Sequence, residues 1–108
     1  MKIMVLGANG SLGSEICSQL SDKGIEFIPI TRSELDITIN INALEKFINN
    51  LKVNVIINCI AFLGIENCKN NTELALEINS FFPNKLFTIS KENNISFIQI
   101  STECSFAC

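Results

Sequence analysis

The chain has 108 residues, eight basic against eleven acidic, with a formal net charge of −3 and a pI near 4.8. That length holds one hydrophobic core but not a cofactor domain plus a separate substrate domain. An acidic chain with scattered Lys and Arg has no basic face for displacing counterions from nucleic acid, and no apolar run approaches the ~20 residues that span a bilayer.

Lys2 to Leu6 reads as a buried first strand, too short to be a signal peptide, and the expected location is the cytoplasm. It runs directly into Gly7-Ala8-Asn9-Gly10-Ser11-Leu12-Gly13, where three of the five glycines recur as G-x-x-G-x-x-G before a helical pattern. Such a strand, glycine turn and helix deliver a dinucleotide pyrophosphate to a helix N-terminus. The first glycine turns the chain, the second lets the backbone approach the phosphate, and the third lets helix and strand pack closely. Leu12, Ile16 and Leu20 mark the apolar stripe of that helix, which ends near Lys23-Gly24. Glu26 to Ile30 is the second strand and Leu35 to Ile37 a short third. Ile41, Leu44, Ile48 and Leu51 give the stripe of a helix over Asn40 to Leu51. Val53 to Ile57 is a fourth strand, apolar enough to be covered on both faces. Thr72 is placed to cap a third helix carrying Leu74, Ile78, Phe82, Leu86 and Ile89, kinked at Pro83, and Ser96 to Ile100 is the fifth strand.

Alternating strands and helices imply an α/β doubly wound parallel sheet, with strand order 3-2-1-4-5 and the chain ending after strand five. Ligands bind beyond the carboxyl ends of such strands. The candidates there are the glycine loop, Thr31-Arg32, Asp36-Ile37, Asn58 to Phe62, and Ser101-Thr102-Glu103. Cys17, Cys59, Cys68, Cys104 and Cys108 form no C-x-x-C pair and the chain has no histidine, so no metal site is expected and the cysteines read as small apolar residues or stray thiols.

Five segments carry a resemblance. Gly7-Ala8-Asn9-Gly10-Ser11-Leu12-Gly13 is followed by Arg32-Ser33-Glu34-Leu35-Asp36-Ile37-Thr38, then Val55-Ile56-Ile57-Asn58-Cys59-Ile60-Ala61-Phe62, then Glu73-Leu74-Ala75 with Asn79, then Ile100-Ser101-Thr102-Glu103. In order and spacing they resemble the N-terminal part of the extended short-chain dehydrogenase/reductase superfamily, and most of all the dTDP-4-dehydrorhamnose reductase family of nucleotide-sugar reductases. The resemblance implies that residues 1–108 are a Rossmann-like NAD(P)-binding domain without the family's substrate domain. Gly7, Asn9, Gly10, Ser11, Leu12 and Gly13 would form the phosphate loop, with Gly10, Ser11 and Leu12 on the pyrophosphate. Asp36 and Ile37 would flank the adenine, and Cys59, Ile60 and Ala61 would line the nicotinamide half. Thr102 resembles the family's active-site hydroxyl, beside Glu103 in the nucleotide-sugar site. Thr31 stands where the family often has an acidic residue, and Arg32 follows; an Arg there pairs with a 2′-phosphate, which favours NADP, with NAD the other possibility.

The departures bear on activity. The family's proton donor is the Tyr of a Tyr-x-x-x-Lys motif beyond the fifth strand, and this chain contains no tyrosine. Glu103 replaces the usual Asp and Cys104 the usual Tyr. The expectation is therefore the cofactor-binding part of a reductase that acts on a 4-keto nucleotide sugar, inactive by itself and open to self-association through its exposed fifth strand. The alternative is a non-catalytic dinucleotide-binding or regulatory interaction module. A flavodoxin-like receiver or flavin domain shares the layout but fits less well, because a receiver needs acidic residues after strand one, where this chain has glycines.

Overall fold

The computed structural model describes residues 1–31, 33–35, 39–60, 73 and 76–100. Four parallel strands, β1 (Lys2–Leu6), β2 (Glu26–Ile30), β3 (Val55–Asn58) and β4 (Ser96–Gln99), form one sheet in the order β2-β1-β3-β4. The chain leaves β1 for one side and later returns to the other, so a crevice opens at the carboxyl ends between β1 and β3. The expected third strand at Leu35 to Ile37 falls mostly outside the described residues, and so does the proposed cap at Thr72; Leu35 itself is buried in the core.

Period-two alternation sorts the strand side chains onto two faces. Ile3, Val5 and Ile57 pack against Ile16, Cys17 and Leu20 of α1 (Ser11–Asp22). Met4, Leu6 and Ile56 pack on the opposite face against Leu44 and Ile48 of α2 (Ile41–Leu51), together with Phe82, Leu86 and Ile89 of α3 (Phe82–Glu92). Both faces of β1 are thus covered, which is why its run is continuously apolar.

Three local expectations change. Leu12 does not join the α1 stripe: it is 46% exposed, and the residues facing the sheet are Gly13, Ile16, Cys17 and Leu20. The first turn of α1 approaches the β1 loop too closely for any side chain, so glycine occupies the inward position there. Asn40 lies outside α2 as its cap, with Oδ1 accepting the Ala43 N–H at 2.9 Å. The expected kink at Pro83 is a π turn over Glu77–Phe81, in which the Phe82 N–H donates to Glu77 O. Pro83 has no N–H, and in a regular helix its ring would strike the carbonyl four residues back; the wider turn before it relieves both problems. Lys85 then reaches back to Glu77 at 2.9 Å and donates to Ile39 O at 3.2 Å, tying α3 to the segment before α2.

Candidate functional site

The crevice is built around Gly7. Its φ of +77° turns the chain off β1, and its N–H and that of Ala8 donate to Ile30 O at 2.9 and 3.2 Å, pinning the loop to the end of β2. On the other side, a Cβ on Gly7 would stand 3.1 Å from Cys59 C and Ile60 N, so the loop also rests against the chain leaving β3. Gly13 closes the arrangement: a Cβ there would lie 2.8 Å from Gly7 C and overlap Gly7 O. Two of the three glycines are therefore required by the protein's own packing.

Gly10 is different. It is the N-cap of α1 with φ −77° and ψ 169°, an extended conformation open to any residue, and among the described residues a Cβ there would meet only Gly7 O at 3.5 Å. No side chain caps the helix, and its first turn carries no acidic residue. The leading N–H groups therefore face outward with the positive end of the helix dipole. Asn9, Ser11 and Leu12 are exposed around them. Among the described residues no side chain fills the space beside Gly10, and its chemistry is that of an anion cradle.

At the end of β3, Asn58 is fully buried. Its Oδ1 accepts the Ile60 N–H at 3.2 Å, and its Nδ2 donates to Gln99 Oε1 at 2.8 Å; the Cys59 N–H continues the ladder to Leu6 O at 2.9 Å. Gln99 Nε2 donates in turn to Ile100 O at 3.0 Å. One amide pair thus holds the ends of β3 and β4 in register beneath the crevice. Burial pushes the Cys59 thiol up from its ordinary value, with Cys17 adding a smaller push, and burial alone does the same for Cys17. Both thiols should consequently resist alkylation. Peptide-resolved labelling with iodoacetamide near pH 8 is expected to modify Cys17 and Cys59 more slowly than free cysteine. The stabilisation from keeping these thiols neutral is complete below the ordinary thiol value of 9.0 and is lost as pH rises through the raised folded values. The denaturant midpoint should fall accordingly in strongly alkaline buffer.

The structure brings Gly7, Asn9, Gly10, Ser11, Leu12 and Gly13 together with Cys59 and Ile60 at one end of the sheet. Arg32, Asp36, Ile37, Ala61, Thr102 and Glu103 lie outside the described residues, as do Cys68, Cys104 and Cys108. Two residues of this edge were not singled out from the sequence. Gln99 matters only because parallel register sets it beside Asn58. Glu34 carried a readable signal: Thr31-x-x-Glu34 has the spacing of a capping box. Its carboxylate accepts the Thr31 N–H at 3.2 Å and the Thr31 hydroxyl at 2.8 Å.

A parallel sheet covered on both faces, with a glycine turn feeding an uncapped helix N-terminus at the switch in strand order, defines a Rossmann-type domain of the short-chain dehydrogenase/reductase kind. The chain belongs to the RmlD substrate binding domain family, whose model matches residues 1–108. It is 30% identical, over 98% of its length, to a probable low-salt glycan biosynthesis reductase of Haloferax volcanii, of which it covers 38%. Among solved structures, a dTDP-4-dehydrorhamnose reductase from Clostridium acetobutylicum is 42% identical with a TM-score of 0.85, covering 94% of this chain and 36% of that one. A dTDP-4-dehydrorhamnose reductase from Bacillus anthracis, in complex with NADP, shares the fold at 24% identity and a TM-score of 0.78, covering 89% of this chain and 34% of that one. The chain therefore spans 34% to 38% of the length of these proteins.

Proposed function

We propose that this chain is the cofactor-binding part of an NADP-dependent nucleotide-sugar reductase acting in polysaccharide biosynthesis in the cytoplasm. The observation that carries the reading is the space left at Gly10 by the described residues, before a helix N-terminus to which none of them gives a side-chain cap and whose first turn is not acidic. These residues fit a dinucleotide. Gly10, Ser11 and Leu12 would hold the pyrophosphate, Asp36 and Ile37 the adenine, and Arg32 the 2′-phosphate. Cys59, Ile60 and Ala61 would border the nicotinamide.

When bound, the dihydronicotinamide supplies the hydride for reduction of a 4-keto sugar linked to a nucleotide. The chain's own task is to position it. Asn58 and Gln99 hold the two strand ends, from which Thr102 would offer its hydroxyl to the substrate carbonyl and Glu103 would contact the sugar nucleotide. NADP in the Bacillus anthracis relative supports this cofactor, and the Clostridium acetobutylicum reductase supports this substrate class. The reading includes a further strand at Leu35 to Ile37, third in chain order and giving the order 3-2-1-4-5, and self-association through the edge strand β4, where Ile98 is 46% exposed. Because the sequence contains no tyrosine, the chain by itself would bind cofactor without reducing a sugar. The alternative reading is a non-catalytic dinucleotide-binding module on the same fold.

Calorimetric titration of the chain with NADPH and NADH tests the proposal. Saturable binding is expected, tighter for NADPH. Absence of binding to a chain shown by circular dichroism to be folded would reject both readings. Restoration of sugar reduction by a longer chain that supplies a Tyr-x-x-x-Lys motif would decide for the reductase.

A further inference from the structure

We infer that Glu34 is a specificity-determining residue for the cofactor's adenosine ribose, opposing the 2′-phosphate and keeping a 2′-hydroxyl acceptable. The inference rests on the dinucleotide reading above and adds to it a residue and a direction.

The position follows from the loop. Gly7 and Ala8 donate to Ile30 O, so the residue after β2, Thr31, directly adjoins the phosphate-binding turn. In sheets of this kind that strand end faces the adenosine ribose, where an acidic side chain accepts the 2′-hydroxyl. Thr31 is not acidic, but the chain returns a carboxylate to the place from three residues further on. The Thr31 N–H and hydroxyl both donate to Glu34 Oε1, at 3.2 and 2.8 Å, and the Glu34 N–H donates back to Thr31 O at 3.1 Å. The Ser33 hydroxyl lies 3.0 Å from Thr31 Oγ1 within the same turn. The turn therefore holds Glu34 in place through its own backbone and side chains.

Two consequences oppose a 2′-phosphate. The two donors at the strand end, which would otherwise serve an anion, are already given to Glu34. The carboxylate also adds a negative charge beside the place the phosphate would take, and like charges a few ångströms apart repel by an amount that the exposure of Glu34 to solvent reduces without removing. A ribose 2′-hydroxyl meets neither obstacle. Both bonds end on Oε1, and among the described residues no donor reaches Oε2, which can accept the hydroxyl. The ratio of NADPH to NADH affinity therefore reports what the Glu34 carboxylate contributes.

The test is calorimetric titration of the chain, its Glu34→Gln variant and its Thr31→Val variant with NADPH and NADH separately. Circular dichroism confirms that each is folded. Glu34→Gln keeps the shape and removes the charge, so its NADPH-to-NADH affinity ratio should rise roughly tenfold, mainly by tighter NADPH binding. Thr31→Val removes the hydroxyl that fixes the carboxylate and should raise the ratio by a smaller factor. An unchanged ratio in Glu34→Gln, with both cofactors still bound, would overturn the inference and leave the dinucleotide reading intact. If neither cofactor binds the folded parent chain, the dinucleotide reading fails and this inference falls with it.

Discussion

Replacing Gly13 by alanine is expected to cost about 3 kcal/mol of stability, near the upper end for an over-packed core position. In a domain of this size that lowers the melting temperature by roughly 10–20 °C. The added methyl would overlap Gly7 O and stand 2.8 Å from Gly7 C, and both are backbone atoms with no rotamer to change. Gly7 cannot retreat either, because its N–H is bonded to Ile30 O and even a Cβ on it would stand 3.1 Å from the Cys59 and Ile60 backbone. Relief would have to come from moving α1 off the sheet, which opens the cluster of Ile3, Val5, Leu20 and Ile57. Thermal and denaturant melts of the alanine variant check this. A midpoint within a degree or two of the parent would mean that the helix is less tightly seated than the geometry requires.

Gly10→Asp should behave in the opposite way. The residue is extended, its Cβ has room, and it is the helix N-cap, where aspartate is among the preferred residues. Its carboxylate would accept from the open N–H groups and complement the helix dipole, so the variant should be as stable as the parent or more stable by a few tenths of a kcal/mol. Cofactor binding should nevertheless weaken by about a hundredfold or more, because the new charge fills the anion cradle and repels the pyrophosphate. Parallel melting and calorimetry separate the two effects. If Gly10→Asp binds NADPH as well as the parent does, the cradle is not at Gly10 and the proposed function loses its central observation. Together the two variants divide a single G-x-x-G-x-x-G motif into a position that serves folding and a position that serves a ligand.

The strands β1 and β2 were legible to the residue, because a continuous apolar run bounded by glycine and a short β-rich segment after a Lys-Gly helix stop leave little choice of register. The helix over 41–51 was legible from its stripe of Leu44 and Ile48, and the glycine turn after β1 from G-x-x-G-x-x-G standing between a strand pattern and a helix pattern. Boundaries at β3 were less so: the sequence places the strand at Val53 to Ile57, whereas the sheet pairs Val55 to Asn58, since register with β1 decides where pairing stops. Periodicity also misassigned Leu12. Hydrophobicity predicts an inward position, but backbone approach at Gly7 reserves that direction for Gly13, and a close approach between segments leaves no mark in hydropathy.

By itself the amino-acid sequence determined the alternation of elements, the parallel α/β class and the place of the glycine turn, because these depend on local periodicity and on residues with special backbone freedom. Packing across the sheet edge set which glycine has room for a Cβ, that Gln99 completes the buried Asn58, and that Glu34 is folded back onto Thr31 beside the glycine turn. Those facts depend on distances across the sheet edge, where strands far apart in the chain end side by side. Only the packed sheet sets such distances.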